Sequence, residues 1–184
     1  MPKINIPLIS VIFFLTAFLD KSGETAVTLL AAFLHELGHI APILAFGVGI
    51  RRIRILPYGF EIHTARAYRS FTEEMAVSLA GCLVNLITFA VFFSFDGYIG
   101  MLAEASLALG ILNIMPVTGL DGGAVLLSVI SNFALPDKAE KICRAVSFVT
   151  LILLWIPAAY IFLVSGYNYS LFVMCVWLFC KVFC

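Results

Sequence analysis

Charge is scarce in this chain. Its 184 residues include 11 Lys and Arg and 11 Asp and Glu, 12% in all, for a net charge of zero. So sparse and balanced a charge leaves no electrostatic footprint for nucleic acid or for an acidic partner. Polar surface is scarce as well. The chain is 62% hydrophobic, where soluble domains run at about 45–50%, and its mean hydropathy is +1.09. A water-soluble domain is excluded, and an integral membrane protein is expected. The cysteines supply no scaffold. The five of them, Cys82, Cys143, Cys175, Cys180 and Cys184, are odd in number and contain no C-x-x-C. Four lie within apolar runs and Cys143 sits in a basic turn, so free thiols are expected rather than a disulfide framework or a thiolate zinc site. Trp155 and Trp177 are too few to mark an aromatic belt. Internal repeats, low-complexity tracts and a second soluble domain are also missing. The first apolar run, Ile4 to Leu19, lacks a small-residue cleavage motif before Asp20 and reads as a retained span.

Long apolar runs are present instead. A spanning helix needs roughly 17–25 mostly apolar residues. The chain parses into six apolar segments, at about 4–19, 24–47, 74–95, 98–133, 143–164 and 168–183, of which the first and last are short. The expected fold is thus an all-α integral membrane protein of about six transmembrane helices, one membrane-embedded domain over residues 1–184. The fourth segment is too long for one straight helix. Within it lies "NIMPVTGLDGG", positions 113 to 123, where Pro116, Gly119, Gly122 and Gly123 disfavour continuous helix. Broken backbone at membrane depth persists only where protein or a water-filled cavity satisfies its polar groups, so this stretch is expected to line a cavity. With the N-terminus in the cytoplasm, Lys3, Arg51, Arg52, Arg54, Arg66, Arg69, Lys138, Lys141, Arg144 and Lys181 all fall inside and only Lys21 outside. That asymmetry supports six spans with both termini cytoplasmic; the expected location is a bacterial cytoplasmic membrane. The connection from Gly47 to Thr72 differs in kind. "GIRRIRILPYGFEIH" alternates β-branched and charged residues, with Pro57 and Gly59 marking a bend. It reads as a short β-hairpin near the cytoplasmic surface, or else as a basic loop held by lipid headgroups.

The second span contains "HELGH". In a helix His35 and His39 share a face about one turn apart, with Glu36 roughly 100° round from His35. This is the H-E-x-x-H arrangement, in which two imidazoles bind zinc and the glutamate acts as general base. The bland alternative is a polar cluster packed between helices. Ionisable residues inside a span nevertheless point to function by default. His39 lies about 12 Å from the cytoplasmic end of its span, which puts the site inside the bilayer on that side. A third ligand is required. Asp121 is the candidate, an acid at membrane depth beside broken backbone, though it also precedes a helical run and could serve as its cap. His63, in the basic connection, is the rival. Asn85 in "AGCLVNLI" and Asn113 at the start of the break either hydrogen-bond neighbouring helices or position substrate.

Taken together, "HELGH", "AGCLVN" and "NIMPVTGLDGG", in that order from about Phe33 to Gly123, resemble the site-2 proteases, a family of intramembrane zinc metalloproteases. The compact six-span layout resembles most the branch containing stage IV sporulation protein FB. The resemblance implies a three-helix catalytic core within about residues 24–133, and one zinc held by His35, His39 and Asp121. It implies Glu36 as catalytic residue and Asn85 and Asn113 as substrate-positioning residues. The substrate would be a membrane-tethered protein, cut in or near its transmembrane segment with a product released to the cytoplasm. The lipid bilayer and a membrane-protein regulator would be further partners. Cys82 stands where the family often has Pro, and the chain has no room for an added PDZ or CBS domain. The rival readings are a metal or ion transporter and a protease-like membrane scaffold without activity. The intact Glu36 argues against the scaffold, and the missing repeats argue against the transporter.

Overall fold

The computed structural model describes residues 3–5, 20, 22–56, 59–165 and 170–183. The described residues form β1 (Lys3–Asn5), α1 (Glu24–Ala45), β2 (Ile50–Leu56), β3 (Gly59–Thr64), α2 (Phe71–Phe92), α3 (Gly97–Asn113), α4 (Asp121–Ser131), α5 (Pro136–Ser165) and α6 (Ser170–Phe183). Three of these, α1, α2 and α5, are long and apolar enough to cross a membrane, and α3, α4 and α6 are shorter apolar helices. The chain divides into two compact units, Met1–Leu112 and Asn113–Cys184.

In the first unit, α1 begins at a built cap. The Asp20 carboxylate accepts hydrogen bonds from the amides of Ser22 and Thr25, each at 2.9 Å. Gly23, at φ +76°, supplies the left-handed turn that leads into the helix. The bonds from Ser22 and Thr25 hold the Asp20 carboxyl below the ordinary carboxylate range. The end of α1 is tied to the start of α2 by Arg66. Its guanidinium donates to the carbonyls of Phe46 (2.7 Å) and Gly47 (3.3 Å) and pairs with Glu73 at 3.7 Å. The two helices meet closely at Gly38, where a side chain would collide with the Ala80 carbonyl and the Gly81 backbone. On its other flank α2 meets α3, with Gly110 against Asn85.

The expected hairpin is present. β2 pairs antiparallel with β3, with Ile53 opposite Ile62 and a bulge between Ile50 and Arg52. A third strand was not anticipated. β1 runs parallel to β2, with Lys3 opposite Arg52 and Asn5 opposite Arg54. The first predicted span is therefore corrected at its start, because Ile4 and Asn5 are strand. The rest of that span lies outside the described residues, as do Lys21, Pro57, residues 168–169 at the head of the last predicted span, and Cys184. Ile43, Val48 and Val77 form a small core that Ile50, Ile62 and Tyr68 cover, seating the sheet against the ends of α1 and α2. Tyr68 is shielded there, and burial, followed by the charge of Glu74, raises its hydroxyl pKa.

The second unit starts with the predicted break. Residues 114–120 separate α3 from α4, and Gly119 adopts φ +101°. Beyond it, α5 and α6 pack through Leu151, Leu154 and Ala158 against Cys175 and Leu178. Val117, from the break, is fully buried against Leu151 and Leu178. α5 begins earlier than the predicted 143. Pro136 occupies its first position and Asp137 lies in its first turn, both favourable at a helix N-terminus, so the basic segment joins the helix. Cys143 accordingly sits in a helix, buried, and not in a turn.

Candidate metal centre

The first unit gathers the two histidines. One helical turn apart on α1, both are buried, and they face α2. His39 donates from Nδ1 to the Val77 carbonyl on α2 at 2.8 Å. A carbonyl can only accept, so the neutral His39 ring carries its proton on Nδ1 and presents the Nε2 lone pair. His35 Nδ1 lies 3.1 Å from the Asn85 side-chain amide. The two Nε2 atoms converge to 3.2 Å, with the rings nearly perpendicular at 85°.

That convergence suits zinc. Two nitrogens bound at about 2.0–2.1 Å with tetrahedral angles stand about 3.3 Å apart. The observed separation fits without rearrangement of the helix that carries both rings. Space at the rings is provided by Gly81, since a Cβ there would stand 2.5 Å from His39 Cε1 and Nε2 and 2.9 Å from His35 Cε1. A glycine is required here for close approach, not for backbone freedom.

Asn85 is wholly buried, and its Oδ1 has no hydrogen-bond partner among the described residues. With Nδ2 turned to His35, the ring accepts at Nδ1, and the chain Asn85–His35–His39–Val77 is satisfied by a proton on His35 Nε2. A metal on His35 Nε2 requires the proton on Nδ1 instead. The amide ends are isosteric, and rotating them places Oδ1 as acceptor for that proton. Asn85 can therefore serve either tautomer of His35. This is the role of a partner that orients a ligand ring and makes it more basic.

Glu36, on the same helix, is half-buried. His63 is exposed and lies on β3 instead of in a loop. In the second unit, Asp121 opens α4 as its first residue, half-buried, with Leu120 as the helix cap. Asp121 is thus not itself the cap residue, the alternative that its sequence position had left open. Gly122 and Gly123 sit so close to the carbonyls of Ile114 and Val117 that no side chain fits at either position. Asn113 is the last residue of α3, half-buried.

Residues 90–154 match the model of Peptidase family M50. The chain is similar to zinc metalloproteases and to a solved site-2 protease. It is 31% identical over 130 residues to stage IV sporulation protein FB of Bacillus subtilis, covering 62% of this chain and 42% of that protein. It is 32% identical over 109 residues to a zinc metalloprotease of Methanocaldococcus jannaschii, covering 54% of this chain and 32% of that protein. The chain thus spans less than half the length of these curated relatives. The solved site-2 protease from M. jannaschii shares the fold, with a TM-score of 0.70 at 21% identity over 97% of this chain and 88% of that one. The resemblance carried by the three motifs is borne out. The motifs alone left unseen the Val77 carbonyl, the ring-facing space at Gly81 and the Asn85 contact with His35. Each depends on residues about 40–50 positions apart.

Proposed function

We propose that this chain is an intramembrane zinc metalloendopeptidase. It hydrolyses a peptide bond in or near a transmembrane segment of a membrane-tethered protein and releases a product towards the cytoplasm. One observation carries the reading: two buried Nε2 atoms converge to zinc-binding separation inside an apolar helix. The ligands are His35, His39 and Asp121. The histidines belong to the first unit and Asp121 to the second, and imidazole nitrogens and a carboxylate oxygen are donors that zinc takes. Family M50 and the zinc metalloproteases among the relatives support zinc as that metal.

When bound, zinc acidifies its water and polarises a scissile carbonyl. The chain's own residues supply the remainder. Val77 and Asn85 hold the two rings with Nδ1 engaged, so that Nε2 is available. Glu36, next to His35 in sequence and one-quarter turn round the helix, accepts the proton from the attacking water and returns it to the leaving amine. Asn113, at the edge of the break, positions the unwound substrate. Asn85 is assigned to His35 before substrate, because its side chain is fully buried against that ring.

Six crossings with both termini in the cytoplasm complete the proposal. Two contacts support the arrangement. β1 and the basic hairpin share one sheet, which keeps Lys3 on the same side as Arg51, Arg52 and Arg54. In the second unit the Lys181 ammonium, in the last turn of α6, reaches the Gly119 carbonyl at 3.4 Å. The break is therefore level with the end of α6 that carries the positive charge.

The test uses purified protein and a co-expressed membrane-tethered substrate. Wild type holds one zinc per chain. Asp121→Ala loses most of it, and Glu36→Gln keeps it while cleavage disappears. Cleavage surviving in Glu36→Gln would overturn the mechanism, and wild type without zinc would overturn the ligand assignment.

A further inference from the structure

The loop that ends at Asp121 is held by a residue far from any motif. Ser147, in the middle of α5, is completely buried. Its hydroxyl accepts from the Thr118 amide at 2.9 Å and lies 3.0 Å from the Thr118 hydroxyl. It donates to the Cys143 carbonyl at 2.7 Å, with the Pro116 carbonyl at 3.5 Å as the alternative acceptor. One donor and two acceptor positions exhaust what a serine hydroxyl offers, and two of the three are directed at the break. A buried serine usually satisfies itself on its own helix, four residues back. Ser147 does that with Cys143 and still uses both lone pairs on another segment.

Beyond Thr118 the backbone has little freedom. Val117 is buried beneath it. The Lys181 side chain covers Gly119, whose Cβ would meet it at 2.9–3.1 Å, and the ammonium binds the Gly119 carbonyl. Leu120 accepts the amides of Gly123 and Ala124. Gly122 and Gly123 lie directly on the carbonyls of Ile114 and Val117. The few residues from Thr118 to Asp121 are thus fixed within the same loop. Moving Thr118 therefore moves the first turn of α4.

We infer that Ser147 is a positioning residue for Asp121, acting through Thr118 to set where that carboxylate is presented for metal. The inference rests on the reading of Asp121 as a zinc ligand. Partners that orient a metal ligand typically contribute about 10–100-fold in affinity.

The experiment measures zinc affinity of the full chain in detergent by chelator competition, with the visible spectrum of the cobalt-substituted protein as a second readout. Ser147→Ala should weaken zinc about tenfold or more and alter the cobalt spectrum. In an Asp121→Ala background the same substitution should cost nothing further, because the group it positions is gone; residues acting on one another are non-additive. Equal losses in both backgrounds would mean that Ser147 serves the fold at large, and would overturn the inference. Should Asp121→Ala leave affinity unchanged, the ligand assignment itself fails. Should Asp121→Ala weaken zinc while Ser147→Ala does not, only the positioning role fails. If Ser147→Ala does not fold, Thr118→Val decides. It removes one hydroxyl from an exposed side chain and keeps the amide bond to Ser147. It should weaken zinc by about 2–10-fold, the worth of one neutral hydrogen bond, again only with Asp121 present. No loss from Thr118→Val would overturn the inference.

Discussion

His35 sits between two demands. Its Nδ1 faces an amide that can donate or accept, and its Nε2 faces the Nε2 of His39 at 3.2 Å. Only the tautomer protonated at Nδ1 leaves Nε2 for a metal, and that tautomer needs an acceptor from position 85. The substitutions at Asn85 should therefore sort by acceptor strength. Asn85→Asp supplies a carboxylate to Nδ1–H and should keep zinc affinity within a few-fold of wild type. Asn85→Leu supplies nothing and should lose about 10–100-fold. Equal affinities for the two variants, by chelator competition, would sink the ring-orienting role. At this scale the sequence was legible where chemistry is local. His35, Glu36 and His39 declare themselves by helical periodicity. Asn85 stood out as a polar residue in an apolar span, but its partner is 50 residues away and nothing in the spacing names it. Ser147 was invisible, being one small residue in a 30-residue helix.

Elements were legible in proportion to their hydrophobic length. α1 and α2 begin and end within about three residues of the predicted spans. The break over residues 114–120 was legible because proline and glycine carry backbone constraints in their covalent structure. β1 was not, since three residues at the head of an apolar run take strand form only because β2 offers an edge. Element ends are also where pH enters. Asp20 accepts the amides of Ser22 and Thr25, and the folded carboxyl pKa is lowered below 3.8. A lowered folded value means stability that is present above the unfolded pKa and lost as pH falls through the folded one. The first turn of α1 should therefore stay ordered through the ordinary carboxylate range and fray only in stronger acid. In Asp20→Ala it should fray at every pH. The Thr25 amide resonance reports both, and its titration at an ordinary carboxylate pKa would refute the cap.

At the scale of the molecule the packing is inside out. α2 buries Ser78, Gly81, Asn85 and Thr88 while exposing Leu83 (55%), Ile87 (60%) and Val91 (56%) along one face. On α5, Leu153, Ile156 and Leu163 are exposed while Ser147 and Ala158 are buried. Lipid accounts for both faces. Hydrocarbon leaves no drive to hide leucine, and small or polar side chains are worth more between helices, where backbones approach and hydrogen bonds form. Composition alone announced this, but composition is blind to orientation, which rests on where the basic residues fall. With the hairpin side in the cytoplasm, the turn before α1 must lie outside. A membrane-impermeant thiol reagent applied to intact cells should then label Ser22→Cys and spare Ala67→Cys, both built on a chain with its native cysteines replaced. Both positions are exposed. Ala67 is preferable to its neighbour, because the Arg66 side chain is engaged in holding the end of α1. After the cells are opened, Ala67→Cys should label as well, which shows that the thiol was reactive and merely on the far side. Labelling of Ala67→Cys in intact cells with Ser22→Cys protected would invert the protein in the membrane, and with it the side to which a cut substrate is released.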